Sequence, residues 1–247
     1  MNLRVVALSS FAIAVFVSGV FADMVEVTYL SPFDATTEKV SINYGSYNFT
    51  GTVYTGLYNI TVDGTRYQTF CIDPLGDIRS GDTWTADHLS AEEITAGNGE
   101  LFTSTYPNTD LALEKYAMID YLAEQSFYLY TDSPDPRLDT KAERSDLSLL
   151  YWEIALDYDG TLGSLNLGSG HFSSSTTSMN STLSGLLSEA YSNKDKTLAM
   201  SIYSPIEKPS QEFLAFKPTS VPEPGIVSLF LLGFSAIGFS GIFRRKR

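Results

Sequence analysis

Cysteine and histidine are nearly missing from this sequence. Its 247 residues hold one cysteine, Cys71, and two histidines, His88 and His171. A lone cysteine excludes an intramolecular disulfide and any multi-thiolate metal cluster. Two histidines exclude an HExxH zinc site and any three-histidine centre. Glutamine is scarce as well, present only as Gln68, Gln125 and Gln211. Basic side chains number 16 against 29 acidic ones, a formal net charge of −13. That balance argues against nucleic acid and anionic membrane surfaces as partners. No metal or cofactor is implied, and no internal repeat is visible.

Long uncharged apolar runs are present, one at each end. Met1 to Ala22 has Arg4 as a positive start, an apolar run from Val5 to Val20, and Val20-Phe21-Ala22 before a cut preceding Asp23. This is the pattern of a secretory signal peptide (1–22), removed by signal peptidase and excluded from fold reasoning. At the other end, Gly225 to Phe243 carries no charge. As a helix rising about 1.5 Å per residue it just spans a hydrocarbon core of about 30 Å. Gly233, Gly238 and Gly241 would weaken a soluble helix but are common in membrane ones. Arg244, Arg245, Lys246 and Arg247 then stop transfer on the cytoplasmic side. On these residues alone, a plain C-terminal membrane anchor is as good a reading as a sorting signal.

Val221-Pro222-Glu223-Pro224, the apolar run and the basic end (221–247) together resemble the PEP-CTERM protein-sorting signal. That signal is carried by secreted proteins of Gram-negative bacteria that make extracellular polysaccharide. The resemblance implies that an exosortase recognises Pro222, Glu223 and Pro224 and removes the helix during export. Contact with the membrane would be transient. The protein would pass the inner membrane and end at the cell surface or in the extracellular matrix.

What lies between is the cargo, 23–217, followed by a short linker, 218–220. Five of the 16 basic residues and one of the 29 acidic ones fall in the terminal segments, which leaves 11 against 28 and a net −17. Such a surface keeps an exported protein soluble and suits divalent cations or neutral or cationic polymers. The 15 Tyr and 15 Phe serve a core first, and a surface second.

Alternation predicts strands at Val25–Tyr29, Lys39–Tyr44 and Asn48–Tyr54, and a hairpin from Leu57 to Asp73 about the turn Asp63-Gly64. Residues 77–109 read as polar loop, with a short helix from Ser90 to Ala96 opened by a Ser90/Glu93 capping box. Helices are expected over Leu111–Tyr130 capped by Asp110, over Thr140–Asp157 stopped at Gly160, and over Ser181–Ser192. Gly163–Ser178 reads as a surface loop, and strands return at Thr197–Tyr203 and Gln211–Phe216. The order predicts an α+β fold: a β-rich framework with a helical insertion, flanked by the signal peptide and a single C-terminal transmembrane helix.

Two stretches stand out inside the cargo. Phe70-Cys71-Ile72-Asp73-Pro74 ends a strand with the only thiol, and Leu149-Leu-Tyr151-Trp152-Glu153-Ile154 lies on a helix. In this order they resemble the thioester-domain family of bacterial surface adhesins. The resemblance implies a thiol from the strand and a glutamine four residues before the helix tryptophan, condensed into an internal thioester that acylates amines. Here that position is Ser148, which has no carboxamide to give. Gln125 is the alternative acyl donor, making Cys71 and Gln125 the candidate thioester pair.

Enzyme readings find less. Cys71 with His171 is a thiolate–imidazolium candidate, but His171 sits in the Gly/Ser-rich stretch. No carboxylate pair stands out by context. Asp157-Tyr-Asp159-Gly160 resembles the start of a calcium loop but lacks the later Glu, and a helix-ending turn accounts for it. Glu153 is expected to face solvent. The sequence therefore reads as an exported, non-enzymatic surface or matrix protein acting in adhesion or in organising extracellular polysaccharide. Its alternatives are a covalent adhesin with a Cys71 thioester, and a secreted polysaccharide or peptide hydrolase.

Overall fold

A computed structural model describes residues 22–126, 140–175, 181–206 and 211–215. The signal peptide as far as residue 21, the linker and the C-terminal segment with Pro222, Glu223, Pro224 and Arg244 to Arg247 lie outside these residues. Among the described residues no helix is long and apolar enough to cross a membrane.

Among the described residues, seven strands and four α-helices form the α+β arrangement that the sequence predicts. The strands are β1 (Asp23–Tyr44), β2 (Tyr47–Val62), β3 (Thr65–Phe70), β4 (Thr83–Leu89), β5 (Phe172–Ser174), β6 (Ser201–Pro205) and β7 (Phe213–Ala215). The helices α1 (Ala91–Thr95), α2 (Ala112–Ser126), α3 (Lys141–Asp157) and α4 (Ser181–Ser192) fall between β4 and β6. The order across the sheet is β3-β2-β1-β4-β6-β7, every pairing antiparallel, with β5 added to the edge of β1.

The sheet closes. Just beyond β3, Cys71 bridges Phe213 of β7, the Ile72 amide donates to the Glu212 carbonyl at 3.0 Å, and Thr69 Oγ1 donates to the Leu214 carbonyl at 2.5 Å. Six strands thus make a small barrel, and closure removes the two exposed edges an open sheet would have. Period-two alternation then sorts side chains between inside and outside. Val27, Tyr29, Tyr58, Ile60, Cys71, Trp84, Tyr203 and Phe213 form a cluster of their own that fills the interior. Leu57, Phe70, Ile72, Leu89, Ile202 and Leu214 belong to a second, larger core shared with the helices.

β1 is one strand where the sequence suggests two. The β1–β2 register shifts between Tyr29/Ser31 and again between Phe33/Ala35, so the expected segments join through bulges. At the second shift Asp34 takes φ 46° and Gly56, opposite Ala35, takes φ 116°. A Cβ on Gly56 would lie 2.9 Å from the Asp34 carbonyl oxygen, so only glycine fits there. Beyond the bend, Val40 and Ile42 join the helical core. The Asp63-Gly64 turn forms as expected, with φ 48° and 77°.

β4 is a strand inside what the sequence presents as polar loop. Of Thr83-Trp-Thr-Ala-Asp-His-Leu89 only Trp84, Ala86 and Leu89 are apolar and buried, and strand pairing on both sides decides the rest. β5 likewise lies inside the Gly/Ser-rich stretch. The helices fall close to expectation over the described residues, except that Asp110 lies in a 3-10 turn (Thr109–Leu111) ahead of α2 instead of capping it, and 127–130 lie outside the described residues. Ser90/Glu93 and Thr140/Glu143 both form capping boxes. Helix α3 is the centre of the second core: every side chain from Leu147 to Asp157 is buried. Glu153 is therefore not a solvent-facing charge, because α3 has no solvent face at that turn.

Candidate functional site

Cys71 sits where barrel and helices meet. Its thiol is fully buried and donates to the Asp73 carbonyl at 3.2 Å. Burial, and secondarily the Asp73 carboxylate, raise this thiol well above its ordinary range, so it is a neutral thiol rather than a thiolate. Above it lies Trp152 of α3, whose Nε1 donates to the Cys71 carbonyl at 3.2 Å. The strand and helix motifs that the sequence singled out are thus neighbours.

Ser148, one turn before Trp152 on α3, does something else with its hydroxyl. Its Oγ accepts from the Gly56 amide at 2.8 Å and donates to the Gly56 carbonyl at 3.2 Å, pinning β2 where it faces the bulge of β1. Ser145 adds a bond to Thr55 Oγ1 at 2.5 Å and one to Thr36, and Arg144 pairs with Asp34. α3 is therefore stapled to the bent hairpin by the Ser145 and Ser148 hydroxyls, and an apolar residue at 148 would leave the buried Gly56 amide unpaired. Ser148→Ala is expected to cost about 1–3 kcal/mol in chemical denaturation, because the Gly56 amide stays buried without a partner.

Gln125, the other half of the candidate pair, is placed near the end of α2, half-buried, on a helix whose helical neighbours are α3 and α4. Among the described hydrogen bonds, those of Cys71 run to Asp73 and Trp152 and none runs to Gln125. His171 is exposed, with Nδ1 3.0 Å from the Asn43 carbonyl and its ring edge-on to Tyr44, whereas Cys71 lies in the barrel interior. The structure does not assemble a thiolate–imidazolium pair. Asp157 accepts from the His171 and Phe172 amides at 2.6 and 2.9 Å, and Asp159 accepts from Thr161, so the Asp-x-Asp run ends a helix and ties down a loop. Among the described residues no group of three His, Cys, Asp or Glu side chains is placed to hold a metal ion.

Two buried carboxyls were not legible beforehand. Glu212, fully buried beside the Cys71–Phe213 closure, accepts from the Tyr116 hydroxyl at 2.9 Å and the Glu100 amide at 2.9 Å. Burial pushes it up to about 8, with the Asp73 carboxylate adding to the rise. Asp73 in turn accepts from the Tyr106 hydroxyl and from the Leu75 amide at 2.8 Å. Glu153, also fully buried, accepts from the Asn166 amide at 2.5 Å through Oε1, while Oε2 has no partner among the described residues. Burial, with the Asp157 carboxylate nearby, pushes it up to about 9.

A cleft of about 500 Å³ opens beside this junction. Six aromatic rings line it: Tyr29, Tyr47, Phe49, Tyr54, Tyr58 and Trp152. Alternation along β2 places Tyr47 and Phe49 on one face. No local signal announced that the bent hairpin would bring them to Trp152.

Residues 220–247 match the PEP-CTERM protein-sorting motif. The chain carries a PEP-CTERM sorting signal. That signal implies processing by an exosortase and export to the cell surface or extracellular space. The match covers the C-terminal segment and leaves the barrel and its helices outside it. Comparison with curated proteins and with solved structures returned no match.

Proposed function

We propose that this is a non-enzymatic protein of the cell surface or extracellular matrix, acting in adhesion or in organising extracellular polysaccharide. The observation that carries the reading is the PEP-CTERM signal at the end of an acidic chain. Supporting it, the one thiol is buried and neutral, and Ser148 engages Gly56 where a thioester would require an acyl donor. Pro222, Glu223 and Pro224 are the recognition residues, and the segment from Gly225 to Phe243 with its basic end is what the exosortase discards.

Intact mass of the protein from its host's envelope tests the processing. The expected mass corresponds to Asp23 through about Val221, and replacing Pro222, Glu223 and Pro224 by alanine is expected to leave the tail attached and the chain in the inner membrane. A mass short by one ammonia would replace this reading with a covalent adhesin, Cys71 acylated by Gln125. A host lacking the protein is expected to show altered surface adhesion, and unchanged adhesion would overturn the surface role.

A further inference from the structure

We propose that the aromatic cleft beside Trp152 binds a segment of a neutral polysaccharide. The inference rests on the surface or matrix reading above and gives it a site. Trp152, Tyr58 and Tyr29 are buried at 4–6% exposure and form the cleft's inner wall, showing it only part of each ring. Tyr58 is fixed by its hydroxyl, which donates to the Tyr54 carbonyl at 2.5 Å. Tyr47 and Phe49 are half-buried, and Tyr54 is 53% exposed at the mouth. The tip of the Phe49 ring lies over Gly51, where a Cβ would come within 2.7 Å of Cζ, so the absence of a side chain there leaves room for it.

Polar groups stand among the rings. Gln211 is oriented by its Nε2, which donates to the Gly76 carbonyl at 2.9 Å. Asp77 carries an exposed carboxylate on the cleft lining, 3.8 Å from Arg79. Tyr47 and Asp77 line the same cleft, and after burial itself the Asp77 carboxylate is the next cause that raises the Tyr47 hydroxyl above its ordinary range.

The ligand that fits must present flat apolar faces to the rings and hydroxyl donors along its edges. A sugar ring does both: its C–H face stacks on an aromatic face, and its hydroxyls donate to carboxylate and amide oxygens. A proline-rich peptide also stacks on aromatic grooves. Its proline residues, however, carry no N–H, so covering Asp77 would strip water from a carboxylate and return no hydrogen bond. Charge narrows the class further. With 28 acidic and 11 basic residues between the terminal segments, an anionic polysaccharide is repelled. The cleft volume lies within the range of about 300–1,000 Å³ usual for small-ligand sites.

The test uses protein from the host's envelope and the fluorescence of Trp152. Trp84, the other tryptophan, stacks on Phe213 in the barrel and does not line the cleft, so Trp84→Phe leaves Trp152 as the sole indole reporter. Cellohexaose, laminarihexaose and maltohexaose are titrated, with alginate and a decaproline peptide alongside. At least one neutral hexasaccharide is expected to shift the emission and saturate at or below about 1 mM, a binding free energy of about −4 kcal/mol. Tyr54→Ala, at an exposed position, is expected to weaken that binding at least about tenfold, or roughly 1.4 kcal/mol. Combining it with Tyr47→Ala should abolish saturation. Silence from all three neutral sugars, unchanged affinity in Tyr54→Ala, or equal affinity for alginate or decaproline would overturn the proposal. If the host lacking the protein has an altered surface while the cleft stays silent, the site falls and the surface role stands. If the cleft saturates and the surface is unaltered, the surface role falls instead.

Discussion

Raising the pH from 5 to 9 is expected to destabilise this protein steadily, and Glu153→Gln is expected to remove much of that loss. Glu153 lies at zero exposure on α3 with Oε2 unpartnered among the described residues, and burial carries its carboxyl from 4.5 up to about 9. In the unfolded chain the same carboxyl ionises through its ordinary value, while the folded protein keeps its proton. The proton's contribution is therefore complete below about 4.5 and is lost as pH rises toward 9. Glu212 acts in the same direction over a window that ends near 8. The groups around them do not reverse this. Asp157 is also raised by burial, while Asp73 and Glu100 beside Glu212 bring further negative charge. Lys115, buried and lowered to about 8, begins to work in the opposite sense only above that pH. One pKa unit corresponds to about 1.4 kcal/mol, so Glu153 alone accounts for a few kcal/mol at neutral pH, on the order of a large mutational effect. Urea denaturation at pH 5, 7 and 9 measures it. Glu153→Gln should match the parent at pH 5 and exceed it at pH 9. A parent whose midpoint does not move between pH 5 and 9 would show that the carboxyl is ionised in the fold.

Trp152→Ala is expected to lower stability by about 3–5 kcal/mol, the usual cost of deleting a buried aromatic ring. The ring is 4% exposed, meets Phe172 edge-on at 6.0 Å, and donates to the Cys71 carbonyl at the point where the barrel closes. Its loss opens a cavity between the two cores. Trp152→Phe separates the two roles: most of the packing stays, the donor goes, and a cost of about 1–3 kcal/mol is expected. For a domain of this size each kcal/mol lowers the thermal midpoint by about 2–4 °C, so a thermal melt resolves the two variants. Equal effects from Ala and Phe would mean that the hydrogen bond, not the ring volume, holds the junction.

Helices α1, α3 and α4 were legible because their signals are local. The capping box at Ser90/Glu93, the stripe of Leu147, Leu150, Tyr151 and Ile154, and the spacing of Leu183, Leu186, Leu187 and Ala190 need only a few neighbouring residues. β4 was not, since Asp87 and His88 look like loop until β1 and β6 supply partners on either side. The exposure of Glu153 was misread for a related reason. Amphipathic reasoning assigns a polar residue to the solvent face of a helix, and α3 is buried all round from Leu147 to Asp157. Phe70-Cys71-Ile72-Asp73 and Trp152 were picked out by resemblance, yet nothing in either stretch says that Ser148 spends its hydroxyl on Gly56.

The sequence by itself determined the sorting signal, the acidic charge, the hairpin turn at Asp63-Gly64 and the strand–helix–strand order. Each depends on composition or on contacts a few residues apart. Tertiary structure alone decided that the sheet closes at Cys71 and Phe213, and that Glu212 and Glu153 keep protons through neutral pH. It alone gathered rings from β1, β2 and α3 around one cleft. Those outcomes depend on which distant side chains exclude water from one another, and burial is a property of the folded neighbourhood, not of any residue's own stretch of chain.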